Sequence, residues 1–311
     1  MTSAAVIDIG SNSIKILVAE KGEGGRLVAR RIRTIEARIS AGISRENPCL
    51  APEGAARGIR AVAELVADAH AFRAGRIIVV ATSAVRDAAN GREFCDRIRS
   101  ETGQPVRILT GEEEANLIAR GLLCDPALEA LRDFYVFDLG GGSLECLHFR
   151  DRKVAQAASL QLGCVRLTEM LVADPALPFT AGELIAARVG TAVAAAGFSL
   201  AHRAAAVGTG GTLTTARAVL GARAGRTLEE TDPRITVGQL RGMLSQVGGL
   251  ALADRRKVAG LPPARADIFP AALSILVSLA ELGGFDAYQH SLYNLRWGVA
   301  AEALESGGGA F

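Results

Sequence analysis

Ala5-Val6-Ile7-Asp8-Ile9-Gly10-Ser11-Asn12-Ser13-Ile14-Lys15-Ile16-Leu17-Val18 is answered later in the chain by Tyr135-Val136-Phe137-Asp138-Leu139-Gly140-Gly141-Gly142-Ser143-Leu144-Glu145-Cys146-Leu147. Each stretch is an apolar run, an Asp, a turn of Gly and small polar residues, and a second apolar run. That pattern describes a hairpin whose tip carries backbone N–H groups and small hydroxyls, with a carboxylate at its root. Amides in such a turn hold phosphate oxygens, and a carboxylate beside them suits a hard divalent cation. Asp and Gly are also ordinary turn formers, so one copy would decide little. Two copies point to a duplicated domain with phosphate held between the halves.

Composition sets the frame around these turns. At 311 residues the chain has length for two domains. A hydrophobic share of 49% against 22% charged residues fits a globular protein rather than a disordered one. The net charge of +2 gives no general argument for binding a polyanion. Five cysteines (Cys49, Cys95, Cys124, Cys146, Cys164) are scattered, with no C-x-x-C pair, which argues against a disulfide framework or a zinc site. Cys146 and Cys164 stand in apolar stretches and are expected in the core. No signal-peptide pattern opens the chain and no apolar run spans a membrane, so a cytoplasmic location is expected.

The first half reads as three strands at about 4–9, 14–19 and 26–35, a helix at 52–73 and a buried strand at 76–81. Helices at 83–89 and 92–101, a strand at 105–109 and a helix at 111–123 complete it. The second half repeats the order: strands at 134–139, 143–149 and 154–160, helices near 164–172 and 180–196, then a strand at 203–207 before another glycine turn. The segment 227–263 reads as mixed and polar, and a helix at 264–282, a strand at 287–291 and a terminal helix follow. The expected fold is α/β, with domains at 1–124 and 125–311 and a ligand cleft between them.

Thr110-Gly111-Glu112-Glu113-Glu114-Ala115 opens a helix. Thr110 and Glu113 have capping-box spacing, which accounts for Glu113. Glu114 is not accounted for by capping, and a carboxylate there could accept a proton from water. Gly208-Thr209-Gly210-Gly211-Thr212 follows a strand and opens a helix, so its amides suit an anion. It lacks the Lys of a Walker loop. The histidines receive no role.

These segments together resemble the exopolyphosphatase / guanosine pentaphosphate phosphatase family, a branch of the actin-like, sugar-kinase and heat-shock ATPase superfamily. The matching stretches are Asp8-Ile-Gly-Ser-Asn-Ser, Ala81-Thr-Ser-Ala-Val-Arg-Asp-Ala, Thr110-Gly-Glu-Glu-Glu-Ala and Asp138-Leu-Gly-Gly-Gly-Ser-Leu-Glu. Further along come Ser159-Leu-Gln-Leu-Gly-Cys-Val-Arg-Leu-Thr, Gly208-Thr-Gly-Gly-Thr and Arg265-Ala-Asp-Ile. The resemblance implies two tandem actin-like (ribonuclease H-like) domains. It implies that Glu114 deprotonates the attacking water, that Asp138 and Glu145 organise Mg²⁺ or Mn²⁺, with Asp8 as a further metal ligand, and that the protein forms a homodimer. Phosphate would be bound by Gly10, Ser11, Asn12, Ser13, Arg86, Gly140, Gly141, Gly142, Ser143, Gly210, Gly211 and Thr212. The substrate would be inorganic polyphosphate or guanosine pentaphosphate, with no nucleic acid or membrane partner.

The sequence departs from the family pattern in two places. It ends before the C-terminal helical module of long members. Asn294-Leu295-Arg296-Trp297-Gly298 replaces the usual Gly-Leu-Arg-Glu-Gly. Two other classes stand beside the hydrolase. A kinase of the superfamily would hold ATP in the two turns, against which Ser11-Asn12-Ser13 and Glu114 speak. A sensor would bind guanosine tetraphosphate or polyphosphate without turnover, against which the intact Asp8, Glu114, Asp138 and Glu145 speak.

Overall fold

A computed structural model describes residues 3–41, 48–200 and 204–305. The first half contains β1 (Ser3–Ile9), β2 (Ile14–Lys21), β3 (Leu27–Ile35), α1 (Pro52–Ala71), β4 (Arg76–Ala81), α2 (Ser83–Asp87), α3 (Gly91–Thr102), β5 (Val106–Ile108) and α4 (Gly111–Leu122). The second contains β6 (Phe134–Leu139), β7 (Leu144–Arg150), β8 (Lys153–Leu160), α5 (Cys164–Leu171), α6 (Gly182–Ala195), β9 (Ala205–Thr209) and α7 (Gly211–Arg223). It continues through β10 (Arg234–Thr236), α8 (Val237–Gly248), α9 (Leu252–Arg255), α10 (Phe269–Gly283), β11 (Ala287–His290) and α11 (Leu295–Glu305).

The two sheets have one topology. The first runs β3-β2-β1-β4-β5, with β1–β2 and β2–β3 antiparallel and β1, β4 and β5 parallel. The second runs β8-β7-β6-β9-β11 in the same sense, with β10 added antiparallel at its edge. A three-stranded meander joined to parallel strands through crossover helices, occurring twice, is the actin-like duplication that the sequence predicts. The central strands are buried on both faces, which is why Phe134–Leu139 is apolar nearly throughout instead of alternating.

The chain forms two compact units, 1–129 with 293–311, and 130–292. The expected boundary at 124/125 grouped the terminal helix with the second half. In the structure α11 instead packs on α4, β1 and β2. The reason is local. Gly298 has no side chain, and a Cβ there would overlap the Leu117 carbonyl of α4. The two helix backbones can therefore touch. Arg76 Nη1 then donates to Ala303 O at 3.1 Å, and Arg120 pairs with Glu305.

Other expectations shift modestly. The segment 227–263 contains a complete helix, α8, closed by a Thr236/Gln239 capping box and burying Val237, Leu240, Met243 and Val247. Its four apolar anchors are separated by polar residues, which masked the period. The helix expected from 264 starts at Phe269, with Pro270 in its first turn, and Pro263–Arg265 forms a 3₁₀ turn. Position 203, from which the strand is expected, lies outside the described residues, and the strand runs from Ala205. Cys146 and Cys164 are buried in the second core, as expected. No described helix is long and apolar enough to cross a membrane.

Gly298→Ala forces a methyl group into the α4 backbone. Overpacking of this kind costs about 1–3 kcal/mol, so the melting temperature should fall by several degrees. Gly190→Ala in α6 meets nothing within 4 Å and should leave Tm unchanged or raise it, since Ala is the better helix former by up to about 1 kcal/mol. Differential scanning calorimetry of both variants checks the contrast.

Candidate functional site

The first unit places Asp8 at the end of β1, opposite Lys15 in the β1–β2 register. Desolvation pushes the Asp8 carboxyl up, while Lys15 and then Arg296 pull it back down. The turn closes with Gly10 N–H donating to Ser13 O at 3.2 Å. Its carbonyls are tied to the chain that follows β3. Ser11 O accepts from Ser40 N at 3.2 Å and from Ser40 Oγ at 3.1 Å, and Asn12 O accepts from Arg38 N at 2.8 Å. Ser11, Asn12 and Ser13 are all buried. Asn12 Nδ2 donates to Glu36 Oε2 at 2.6 Å, which fixes the amide's orientation, and Asn12 Oδ1 has no hydrogen-bond partner among the described residues. Ser11 Oγ also lies 3.5 Å from Ser83 Oγ, at the start of α2.

The same unit holds Glu114 and Arg86. The α4 capping box is closed by Thr110 and Glu113: Glu113 N donates to Thr110 Oγ1 at 3.1 Å, and Thr110 N to Glu113 Oε2 at 2.8 Å. Arg107 also bonds Glu113, and together these donors hold its carboxyl below the usual range. Glu114 is outside the cap and only 6% exposed. Arg86 Nη1 donates to Glu114 Oε2 at 3.1 Å and to Leu109 O at 2.9 Å. The arginine expected to meet phosphate is therefore bonded to the expected base.

In the second unit Asp138 and Glu145 stand opposite each other in the β6–β7 register, both buried. Ser159 Oγ donates to Glu145 Oε1 at 2.9 Å. The glycine turn closes through Gly140 N to Ser143 O at 3.0 Å, the geometry of the first turn repeated. Its carbonyls accept from the start of α5: Cys164 N to Gly140 O at 3.0 Å, Val165 N to Gly141 O at 2.9 Å, and Arg166 Nε to Gly142 O at 2.9 Å. A trans peptide points its N–H away from its C=O. Anchored carbonyls thus leave the turn's amides facing away from α5.

The third turn lies beside the second, because β9 pairs with β6 in parallel, with Thr209 opposite Asp138. Gly210 has φ +94°, and a Cβ would come within 2.7 Å of Asp138 Oδ1 and Leu139 O, so only glycine fits. Thr209 Oγ1 and Thr212 Oγ1 are buried with no hydrogen-bond partner among the described residues. The Arg265 guanidinium lies over Gly211, its nitrogens within 2.6–2.8 Å of where a Cβ would sit, and its Nε has no hydrogen-bond partner among the described residues. A buried cation against the positive end of α7 is unfavourable unless an anion joins them. The sequence contained Arg265 in a matching segment, but reading that segment as helix hid the turn that carries the side chain onto Gly211.

The structure thus brings Asp138, Glu145, Gly140–Ser143, Gly210–Thr212 and Arg265 together in the second unit. In the first it holds Asp8 and Gly10–Ser13 in one hairpin and pairs Arg86 with Glu114.

The model of the Ppx/GppA phosphatase family matches residues 17–306. Among solved structures, the Aquifex aeolicus PPX-GPPA enzyme is 25% identical with a TM-score of 0.76, and the match covers 97% of this chain and 99% of that one. An exopolyphosphatase from Cytophaga hutchinsonii is 20% identical with a TM-score of 0.86, covering 98% of each chain; at that identity the likeness speaks for the fold. With its duplicated sheets and the family match spanning nearly all of its length, the chain belongs to the Ppx/GppA phosphatase family and is a phosphohydrolase of phosphoanhydride bonds.

Proposed function

We propose that the protein removes the terminal phosphate of inorganic polyphosphate, with Glu114 as general base, and that guanosine pentaphosphate is an alternative substrate of the same residues. The observation that carries this reading is Glu114: a buried carboxylate in the first turn of α4 that the helix cap does not use, since Thr110 and Glu113 close the cap between them. Both substrates offer a chain of phosphates, which is the chemistry these turns suit.

Each residue then has a task. The turn amides of Gly10–Ser13 and Gly140–Ser143 hold phosphate oxygens. Arg265 and the amides opening α7 hold another phosphate of the chain. Arg86 orients Glu114 through the 3.1 Å contact. Water oxygen bonds to the terminal phosphorus as the bridging P–O bond breaks. The water proton goes to the Glu114 carboxylate, and the products are orthophosphate and a chain one phosphate shorter.

A magnesium or manganese ion fits Asp138 and Glu145. Two buried carboxylates face each other across β6–β7, and no cluster of three or more His, Cys, Asp or Glu among the described residues forms a protein-only cage. Such a donor set suits Mg²⁺, which takes its other ligands from water and phosphate. When bound, the ion offsets the charge of the phosphate oxygens. Asp8 has Lys15 and Arg296 as neighbouring cations, which offset its charge.

Glu114→Gln should lower kcat for tripolyphosphate by about 10²–10⁴-fold with little change in KM. Glu113→Gln should keep turnover and lose about 1 kcal/mol of stability through the weakened cap. Steady-state phosphate release and denaturant melts of both variants check this, and the reverse pattern would shift the base by one residue. In a Mg²⁺ titration Asp138→Asn should need more metal for half-maximal activity, and excess chelator should abolish wild-type turnover. Full activity in chelator would remove the ion from the reading.

A further inference from the structure

His290, at the end of β11, is 4% exposed and has no part in the chemistry above. Its Nε2 lies 3.2 Å from Thr214 Oγ1, while Nδ1 is buried without a hydrogen-bond partner among the described residues. Thr214, in the first turn of α7, has its Oγ1 2.9 Å from the Gly210 carbonyl. A hydroxyl has one proton. The Thr214 proton goes to Gly210 O, the usual bond of a helical Thr to the carbonyl four residues back. The hydroxyl oxygen must then accept from His290, which places the imidazole proton on Nε2. Burial, with Arg217 nearby, pushes the imidazole down to about 4, so the ring is neutral at ordinary pH.

The peptide at the end of this chain of bonds has no side chain of its own to hold it. Gly210 and Gly211 have no side chains, and Gly210 sits at φ +94°, ψ 177°, a region open essentially to glycine alone. The backbone bond from Thr214 N to Gly210 O is long, at 3.4 Å. Because the peptide is planar and trans, fixing the Gly210 carbonyl fixes the Gly211 N–H in the opposite direction. That N–H belongs to the first turn of α7, where amides have no partner within the helix. A leucine would fill the His290 position without burying an unpartnered Nδ1, so what the imidazole contributes is its Nε2 bond.

We infer that His290 is a positioning residue that acts through Thr214 to pin the Gly210–Gly211 peptide, holding the Gly211 amide toward a phosphate oxygen. The phosphate half of this inference rests on the function proposed above; the relay itself does not.

The test compares His290→Leu, His290→Gln and Thr214→Val, each checked for native circular dichroism. Gln can place an amide N–H close to the position of Nε2, whereas Leu and Val remove the donor and the hydroxyl. Loss of one such hydrogen bond is worth about three- to tenfold. Hydrogen exchange at the amide of position 214, which bonds the Gly210 carbonyl, should quicken by about that factor in the Leu and Val variants, each rate taken relative to its own unstructured sequence, while exchange in β6 stays unchanged. KM for inorganic tripolyphosphate should rise by about the same factor with kcat nearly constant, the Leu/Val double variant should be no worse than either single one, and Gln should behave as wild type. Unchanged exchange in both single variants overturns the relay. Quicker exchange with an unchanged KM overturns the phosphate role, and a Gln variant as impaired as Leu overturns the hydrogen-bond account in favour of packing. If the wild-type protein neither binds nor hydrolyses tripolyphosphate, the proposed function falls and takes the phosphate half with it. The exchange rates still decide the relay.

Discussion

Three glycine-bearing turns depend on one constraint: each has carbonyls tied backward, into the protein. Ser40 and Arg38 bond the carbonyls of Ser11 and Asn12. The first residues of α5 bond those of Gly140, Gly141 and Gly142. Thr214 and Thr215 hydroxyls bond those of Gly210 and Gly211. Since a peptide's N–H opposes its C=O, these anchors aim the turn amides without any charged side chain in the turn. Small residues alone would leave the amides free to rotate. The anchoring segments make them directional.

The duplicated hairpins share this backbone and differ in charge. Lys15 faces Asp8 where Glu145 faces Asp138. The first hairpin therefore balances its own charge, and the second concentrates two carboxylates in a buried place. Like charges placed side by side repel, and this is the charge arrangement that the proposed cation would offset. A difference of sign at one register position gives two turns of the same shape different charge.

Support for the second unit's site reaches well beyond the turns. Arg255, 1% exposed, donates to four backbone carbonyls: Val247 at 2.8 Å, Ala266 at 3.1 Å, Leu177 at 3.3 Å and Leu250 at 2.8 Å. Burial lowers its affinity for the proton while the charge of Asp267 raises it, and the carbonyl dipoles add to the stabilisation of the cation. One of those carbonyls directly follows Arg265, so the buried arginine fixes the turn that lays the second arginine across Gly211. Neither guanidinium's role is visible from charge alone, because Arg is common throughout this chain.

The sequence by itself determined the two hairpins, the duplication, the family and the α4 capping box. All of these rest on local periodicity and turn chemistry, which short stretches encode. Capping-box spacing alone separated Glu113 from Glu114, and the structure keeps that division. Only the tertiary structure decided that α11 belongs with the first unit, since close approach of Gly298 to α4 is a contact between residues distant in the chain. Only it showed Arg86 bonded to Glu114, Arg265 over Gly211 and His290 behind Thr214. Each of those pairings joins side chains far apart in sequence, and their geometry exists only once the strands and helices that carry them have packed.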